Sequence, residues 1–182
     1  MRLNSVGSSD LKSPPVNLDV SLMKIEARLK ELGIALPEPT KAPATFRQTF
    51  PFVRVHENRA YVSGHGPTNP DGTLAKPLGK VGAEVTQEQA YNAARLTGLA
   101  IMASLKQELG DLDRVEKWLR VFGMVNSAPG FKSQPSVING FSDLIIEVWG
   151  NEAGRHARSA VGLAELPFGI PIEIEAEVLI RP

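Results

Sequence analysis

The chain has 182 residues, enough for one domain with a buried core or for one domain that carries an arm. Its 42% hydrophobic and 22% charged residues are typical of a soluble globular protein, and 20 Lys and Arg residues balance 20 Asp and Glu residues. This neutral balance argues against nucleic acid as the main partner, and the absence of cysteine excludes disulfides, thiolate nucleophiles and cysteine-bound metals.

The first residues predict an arm rather than a core element. Residues 1–20 contain serines, two adjacent prolines and no periodic apolar pattern. We expect this arm to lie against its own domain or a neighbouring subunit, and Met23 is an alternative start to Met1. No signal-peptide pattern and no apolar run of about 20 residues is present, so we expect a cytoplasmic protein without a membrane partner.

A short amphipathic helix and a proline-rich connector follow the arm. Apolar residues recur at helical spacing between Ser21 and Gly33, with the serine as N-cap and the glycine as the stop. Three prolines then predict an extended connector. We therefore divide the chain into the arm with its helix, residues 1–40, and a main domain, residues 41–182.

Two strands and a long loop open the main domain. Residues 45–56 and 59–65 have strand character and are joined by a turn. Residues 66–84 are rich in glycine and proline, which predicts a long loop beside the end of the second strand. Ordered loops in such positions often carry function.

Two long helices are predicted from their capping signals and apolar stripes. Thr86 and Gln89 form a capping-box pattern at the start of the first helix, which ends at Gly110. Small residues along its buried side predict close packing onto a sheet. The second helix has Ser133 as its cap and ends at Gly150.

A strand at 115–125 and two C-terminal strands complete a ββαβαββ order, which predicts an α+β fold with the helices on one sheet face. Strand alternation places Arg158 in one C-terminal strand and Glu173, Glu175 and Glu177 in the other on faces opposite their apolar neighbours. We expect these four side chains on the open face of the sheet, covered by water or by other subunits.

Arg158 and Glu173 have two interpretations from spacing alone. In one, Arg158 and the glutamates form cross-strand ion pairs on a solvated face, each contributing only tenths of a kcal/mol. In the other, they form a shared site. A simple hairpin would hold them about 20 Å apart. A shared site therefore requires non-adjacent strands or a contribution from a neighbouring subunit.

Three segments resemble the RidA/YjgF/UK114 family, which also carries the label endoribonuclease L-PSP. They occur in the family's order: 63–70 (SGHGPTNP), 137–141 (VINGF) and 157–176, which contains ARSAV, LP and IEIEA. The resemblance covers residues 44–182. It implies a chorismate-mutase-like α+β fold, with one mixed β-sheet and two long helices on one face, and a homotrimer with sites at the subunit clefts.

The same resemblance implies an enamine/imine deaminase, a hydrolase that acts on the C–N bond of 2-imino or enamine acids. Arg158 would bind the substrate carboxylate and Glu173 would activate water, with no cofactor because the substrate is itself reactive. Asn139 and Gly64 match substrate-contacting positions of the family. From the residues alone, Asn139 is equally a surface amide, and Gly64 is almost as readily a strand-end glycine.

The chain departs from the family at three site positions. Phe50 falls near the position of a family tyrosine, His65 replaces the usual glutamine, and Ala160 stands where many members have cysteine. The segment between the helix asparagine and the arginine is also longer, so we expect altered selectivity. No pair of histidines has the i, i+4 spacing of zinc ligands, so no metal site is predicted.

Two other functions remain open at this stage. The loss of the tyrosine hydroxyl favours a trimer that binds small carboxylate metabolites, such as 2-keto acids, without turnover. The older family label implies an endoribonuclease, against which the neutral net charge argues.

Overall fold

A five-stranded mixed sheet forms the centre of the computed structural model, which describes residues 24–41 and 46–181. In spatial order the strands are β1 (Val53–His56), β2 (Arg59–His65), β5 (Ile172–Ile180), β3 (Val115–Asn126) and β4 (Ala157–Leu163). β3 and β4 are parallel, and the other neighbouring pairs are antiparallel. The predicted α+β fold with one mixed sheet is confirmed.

Two long helices, α2 (Gln87–Leu109) and α3 (Gln134–Gly154), pack against each other and against one face of the sheet. The main core lies in this layer, where Trp118, Phe141 and Ile101 are fully buried. The predicted pair of helices on one sheet face is therefore confirmed. Within residues 24–41 and 46–181, no helix has the length and apolarity needed to cross a membrane.

The capping box of α2 is confirmed, and the small residues of this helix serve packing against the second helix as well as the predicted packing onto the sheet. Thr86 Oγ1 accepts from the Gln89 amide at 3.1 Å, and the Gln89 side chain accepts from the Thr86 amide at 2.9 Å. A Cβ on Gly98 would lie 2.8 Å from the Leu144 side chain of α3. The small side of α2 therefore allows close approach of the second helix, not only of the sheet.

The start of α3 is as predicted, but the predicted capping hydrogen bond and the predicted stop need correction. Ser133 occupies the N-cap position, but its side chain makes no capping hydrogen bond, and Pro135 at the start of the helix already lacks an N–H. Gly150 leaves helical geometry, with φ of 75° and ψ of 175°, yet the helix resumes and continues to Gly154. The glycine therefore kinks the helix rather than ending it.

The first strand is shorter than predicted. It covers Val53–His56 rather than 45–56, and residues 42–45 lie outside the described part of the chain. Pro51 has no N–H to give to a strand ladder, which explains why regular pairing begins after it. Before the strand, residues 46–52 follow an irregular path beside the end of β2.

A distant aspartate holds the N-terminal helix α1 (Lys24–Glu31) on the domain. The Asp113 carboxylate accepts from the amides of Lys24 and Ile25 at 2.6 and 2.7 Å. It therefore acts as the cap of this helix. The predicted cap Ser21 and the predicted arm at residues 1–20 lie outside the described residues. The domain boundary between residues 40 and 41 stays a prediction.

Candidate active site

Arg158 lies on β4, the edge strand of the sheet, where it pairs with Val121 of β3. Its side chain extends towards α3. Nη1 donates to Asn139 Oδ1 at 3.0 Å and to Ser142 Oγ at 2.9 Å, and Nη2 donates to the Pro135 carbonyl at 3.2 Å. The first turns of α3 therefore orient the guanidinium through three neutral oxygen atoms.

The prediction that Arg158 shares the open face with the glutamates is wrong. Its neighbours on β4, Ala160 and Gly162, also face the helices, and a Cβ on Gly162 would lie 2.8 Å from the Gln134 side chain. The larger apolar residues Val161 and Leu163 face the opposite way. Small residues are needed under α3 because the helix passes close to this edge of the sheet.

No carboxylate lies within ion-pair distance of the Arg158 guanidinium in the described part of the chain, residues 24–41 and 46–181, where its hydrogen-bond partners are neutral. Burial lowers the pKa of Arg158 and the negative charge of Asp143 opposes this, but an arginine remains protonated at neutral pH. The predicted cross-strand ion pair does occur, but between Glu177 and Arg59. Arg158 is therefore available to an external anion.

A serine and a histidine support this arginine, and the sequence pattern did not reveal their role. His156 Nδ1 lies 2.8 Å from the Gly154 carbonyl, so this nitrogen carries the proton. Its Nε2 therefore accepts from the Ser142 hydroxyl at 3.0 Å. The lone pairs of Ser142 are thereby turned towards Arg158. The only available signal was the i, i+3 spacing of Asn139 and Ser142 on one helix face.

Glu173 lies on β5 opposite Met124 of β3, on the sheet face away from the helices. Gly64 of β2 makes room for it, since a Cβ on this glycine would lie 2.0 Å from Glu173 Oε1. Burial, and secondly the negative charge of Glu175, raise the pKa of Glu173. No donor in the described residues offsets this rise, so Glu173 is a carboxylate suited to proton transfer.

A cleft of ≈ 310 Å³ opens beside Glu173. Gly64, His65 and Phe50, three of the predicted site residues, line it with Glu173. The remaining lining residues are mostly apolar. They come from the chain before β1, from the loop after β2 and from the turn before β5: they are Thr40, Lys41, Phe46, Phe52, Gly66, Leu74, Pro167, Phe168 and Ile170. Three of the four phenylalanines were not predicted, because they become neighbours only in the fold.

The predicted site residues therefore form two separate groups. Arg158, Asn139 and Ala160 lie at the β4–α3 edge, whereas Glu173 and its cleft lie on the open face. β3 separates β4 from β5, and the paired positions on β3 are three residues apart. The two Cα atoms are thus about 10 Å apart along the strands and about 10 Å across them. The side chains point to opposite faces, so one chain does not join them.

His65 contributes to the core more than to ligand binding. Its ring is 1% exposed, with Nδ1 2.7 Å from the Ser63 carbonyl, Nε2 2.8 Å from Ser104 Oγ and the Phe52 ring at 4.7 Å. Burial lowers the pKa of His65 to about 4. His65 lies at the wall of the cleft, as expected for a predicted site residue. Both nitrogens of its buried ring already have hydrogen-bond partners within the protein.

We expect acid to destabilise the protein through His65. Its pKa is about 4 when folded against 6.5 for an ordinary histidine, so between these values the unfolded state binds more protons. Stability that is complete above pH 6.5 should fall by about 3 kcal/mol as the pH drops towards 4. Urea unfolding across this window measures the loss, and His65→Gln should flatten it. The lowered pKa of His156 adds a smaller loss of the same sign.

An equal pH dependence in the wild type and in His65→Gln would contradict this assignment. His156→Gln is the matched control, because that ring is only partly buried and its substitution should leave most of the slope in place.

A family model described as "YjgF/chorismate_mutase-like, putative endoribonuclease" matches residues 26–169. A curated relative, Protein TCP17 of Trypanosoma cruzi, is 41% identical over 155 residues, which are 85% of this chain and 93% of that protein. The family-model match includes the β4–α3 edge and the cleft residues up to Phe168, and it ends before Glu173.

Solved structures agree with this match. The Agrobacterium tumefaciens protein Atu1372 is 41% identical, with a TM-score of 0.74 over 86% of this chain and 92% of its own. A "putative endoribonuclease" from Shewanella oneidensis is 29% identical, with a TM-score of 0.76 over 86% of this chain and 99% of its own. The predicted family resemblance is confirmed by these comparisons.

Proposed function

The chain belongs to the YjgF/chorismate mutase-like family, and on that premise we propose that it is a cytoplasmic enzyme that hydrolyses 2-imino acids and their enamine tautomers. The observation that carries the proposal is the Glu173 carboxylate, whose pKa is raised and which stands beside an open cleft. Such a carboxylate is suited to taking a proton from water near neutral pH.

Arg158 supplies the substrate anchor in this proposal. Its guanidinium forms no direct ion pair in the described residues and is held by Asn139 and Ser142, so its remaining N–H groups are available to the substrate carboxylate. A planar guanidinium binds a carboxylate through two parallel hydrogen bonds, which fixes both the position and the orientation of the acid. The C=N carbon next to the carboxylate is thereby held in a defined place.

Glu173 performs the proton transfers. An enamine first takes a proton at carbon to become the protonated imine. The Glu173 carboxylate then removes a proton from water as the water oxygen bonds to the C=N carbon, and the C=N π electrons move to nitrogen. The same carboxyl group returns this proton to the nitrogen, which becomes the –NH3⁺ leaving group. The carboxylate then takes the proton of the new hydroxyl group as its oxygen forms the C=O bond, and ammonia leaves as the C–N bond breaks, giving the 2-keto acid. The Gly64 position lets the carboxylate reach this point.

Assembly completes the site in this proposal. Arg158 and Glu173 face opposite sides of the sheet in one chain, so a second copy is needed to bring an arginine edge to a glutamate cleft. We propose a homotrimer, in which each of three equivalent interfaces holds one site. The open sheet face supports the proposed assembly, because it carries a concave surface that encloses ≈ 570 Å³ and a second apolar cluster around Met124.

Mixed trimers test the shared site. Arg158→Ala and Glu173→Gln trimers should each be inactive, but subunit exchange between them should restore activity. An interface is intact only when its arginine comes from one variant and its glutamate from the other, so equal mixing should restore about a quarter of the wild-type sites. Ammonia release measures the recovery, and native mass spectrometry verifies the exchange. Exchange without recovery would place both residues of each site in one subunit.

The activity itself is tested with imines generated in situ by an amino-acid oxidase. We expect the protein to accelerate the release of ammonia and 2-keto acid, measured in parallel with an oxidase-only control. An unchanged rate at high protein concentration would contradict the proposal.

Phe50 favours one other function. The position near it carries a tyrosine hydroxyl in the family, whereas the phenylalanine offers only an apolar ring to the cleft. A trimer that binds 2-keto acids without turnover needs Arg158 but not a proton-transfer chain. Tight binding of 2-keto acids by calorimetry, together with no acceleration of imine hydrolysis, would select this function.

The endoribonuclease named for the Shewanella relative receives less support in this chain. Positive and negative residues are equal in number, and the concave surface on the open face combines Arg54 and Arg120 with Glu175 and Glu177. Such mixed charge does not favour binding of a phosphate backbone. Salt-dependent binding of single-stranded RNA, followed by its cleavage, would be needed to restore this function.

A further inference from the structure

Four phenylalanine rings line the Glu173 cleft. Phe46 packs edge-on against Phe168 with ring centroids 5.8 Å apart and against Phe50 at 6.4 Å, and Phe50 packs against Phe52 at 6.1 Å. Four of the seven phenylalanines of the chain thus meet at one cleft. Edge-to-face clusters of this kind accept a further ring or aliphatic chain without rearrangement.

Three of these four rings are exposed rather than buried. In residues 24–41 and 46–181 five large hydrophobic side chains are exposed, and three of them line this cleft: Phe46 at 40%, Phe50 at 43% and Phe168 at 46%. Exposed apolar groups are common singly, but a contiguous cluster of them marks a binding surface. The cleft therefore has an apolar wall that no other group in the described part of the chain covers.

The backbone conformation of Phe168 is strained. Phe168 has φ of 59° and ψ of 11°, the left-handed region that bulky residues rarely adopt. Gly169 follows it with φ of 69°, so the turn before β5 contains two left-handed residues in succession. A glycine would fit position 168 without strain. Strained positions of this kind concentrate at functional sites.

We propose that the aromatic cleft binds the side chain of the substrate, and that it selects 2-imino acids with an aromatic or bulky apolar side chain over those with a small one. The inference rests on the proposed function, because it needs the reacting carbon to lie at Glu173. The volume of ≈ 310 Å³ is in the range of small-molecule sites, and the lining is mostly apolar with the Glu173 carboxylate among it. Phe168 is the main specificity-determining residue.

Side-chain preference is measured with the imines of phenylalanine and alanine, generated in situ at matched concentrations. We expect kcat/KM for the phenylalanine-derived imine to exceed that for the alanine-derived imine by at least about tenfold. Phe168→Gly, which suits the left-handed backbone, should remove most of this preference by raising KM for the phenylalanine-derived imine. Leu78→Ala is the matched control, because Leu78 is an exposed apolar residue that does not line the cleft.

The outcomes separate this inference from the proposed function. Hydrolysis of both imines at similar kcat/KM would overturn the side-chain preference and leave the hydrolase intact. If neither imine is hydrolysed, the hydrolase fails, and binding of phenylpyruvate against pyruvate decides the inference: tighter binding of phenylpyruvate supports it, and equal or absent binding overturns it. A smaller oligomer for Phe168→Gly would show that a neighbouring subunit fills the cleft, which would also overturn it.

Discussion

Arg158→Ala abolishes imine hydrolysis, with kcat/KM expected to fall about 100- to 1,000-fold, because the substrate carboxylate loses its charged partner in a partly desolvated site. The fold should persist, since the partners of the guanidinium are neutral and Asn139 and Ser142 stand at the helix surface near water. Initial rates of ammonia release and the unfolding free energy, measured on the same preparation, separate the two effects.

Two conservative variants sharpen this test. Arg158→Lys keeps the charge but loses the planar fork, so it should recover only part of the activity. Ser142→Ala removes a positioning group that holds the guanidinium and does not contact the substrate. This variant should therefore lose less activity than Arg158→Ala, mainly through a higher KM. Wild-type rates for Arg158→Ala would remove this residue from the mechanism.

Glu173→Gln should lower kcat by about 100- to 10,000-fold and change KM little, because an amide cannot take a proton from water. The wild-type rate should rise with pH through the pKa of Glu173, which burial and Glu175 raise above its usual 4.5, since only the ionised carboxylate is a base. The residual rate of the variant should show no such rise. Full pH–rate profiles of both proteins measure the difference.

Glu175→Gln is the matched control for the pH profile. Its carboxylate lies two residues along the same strand and raises the pKa of Glu173 through its negative charge. Removing that charge should move the acidic limb of the profile to lower pH and leave kcat at its plateau unchanged. A profile that stays in place in Glu173→Gln would assign the ionisation to another group.

Local patterns predicted most of the fold. The capping box at Thr86, the stop at Gly110 and the strand from Val115 follow from short-range chemistry, and the structure reproduces them. The C-terminal end of α3 did not follow, because a glycine such as Gly150 allows either a stop or a kink, and packing of the next turn decides between them. Short-range patterns therefore predict that an element exists better than where it ends.

The face occupied by Arg158 could not be predicted, because alternation separates two faces but does not say which one a helix covers. Val161 and Leu163 are more apolar than Ala160 and Gly162, which favoured the wrong side. In the fold α3 passes so close to β4 that only small residues fit beneath it. The larger ones join Met124 on the open face instead.

The sequence reveals the principal site residues but not the residues that support them. Arg158 and Glu173 stand in recognisable motifs, but the partners that tune them come from elsewhere in the chain. Ser104 reaches His65 across 39 residues, and Phe168 meets Phe46 from the opposite end of the domain. No periodicity connects such residues, because their contact depends on how β2, β5 and α2 are assembled.

The cap that Asp113 gives to α1 has a consequence for synthesis. The helix leaves the ribosome long before the carboxylate that closes its first turn, which lies 88 and 89 residues downstream of the two amides. Eight residues are too few for a helix to persist alone in water. The cap of α1 therefore cannot form until the stretch after α2 has been synthesised, so α1 docks in this way only after α2 has emerged.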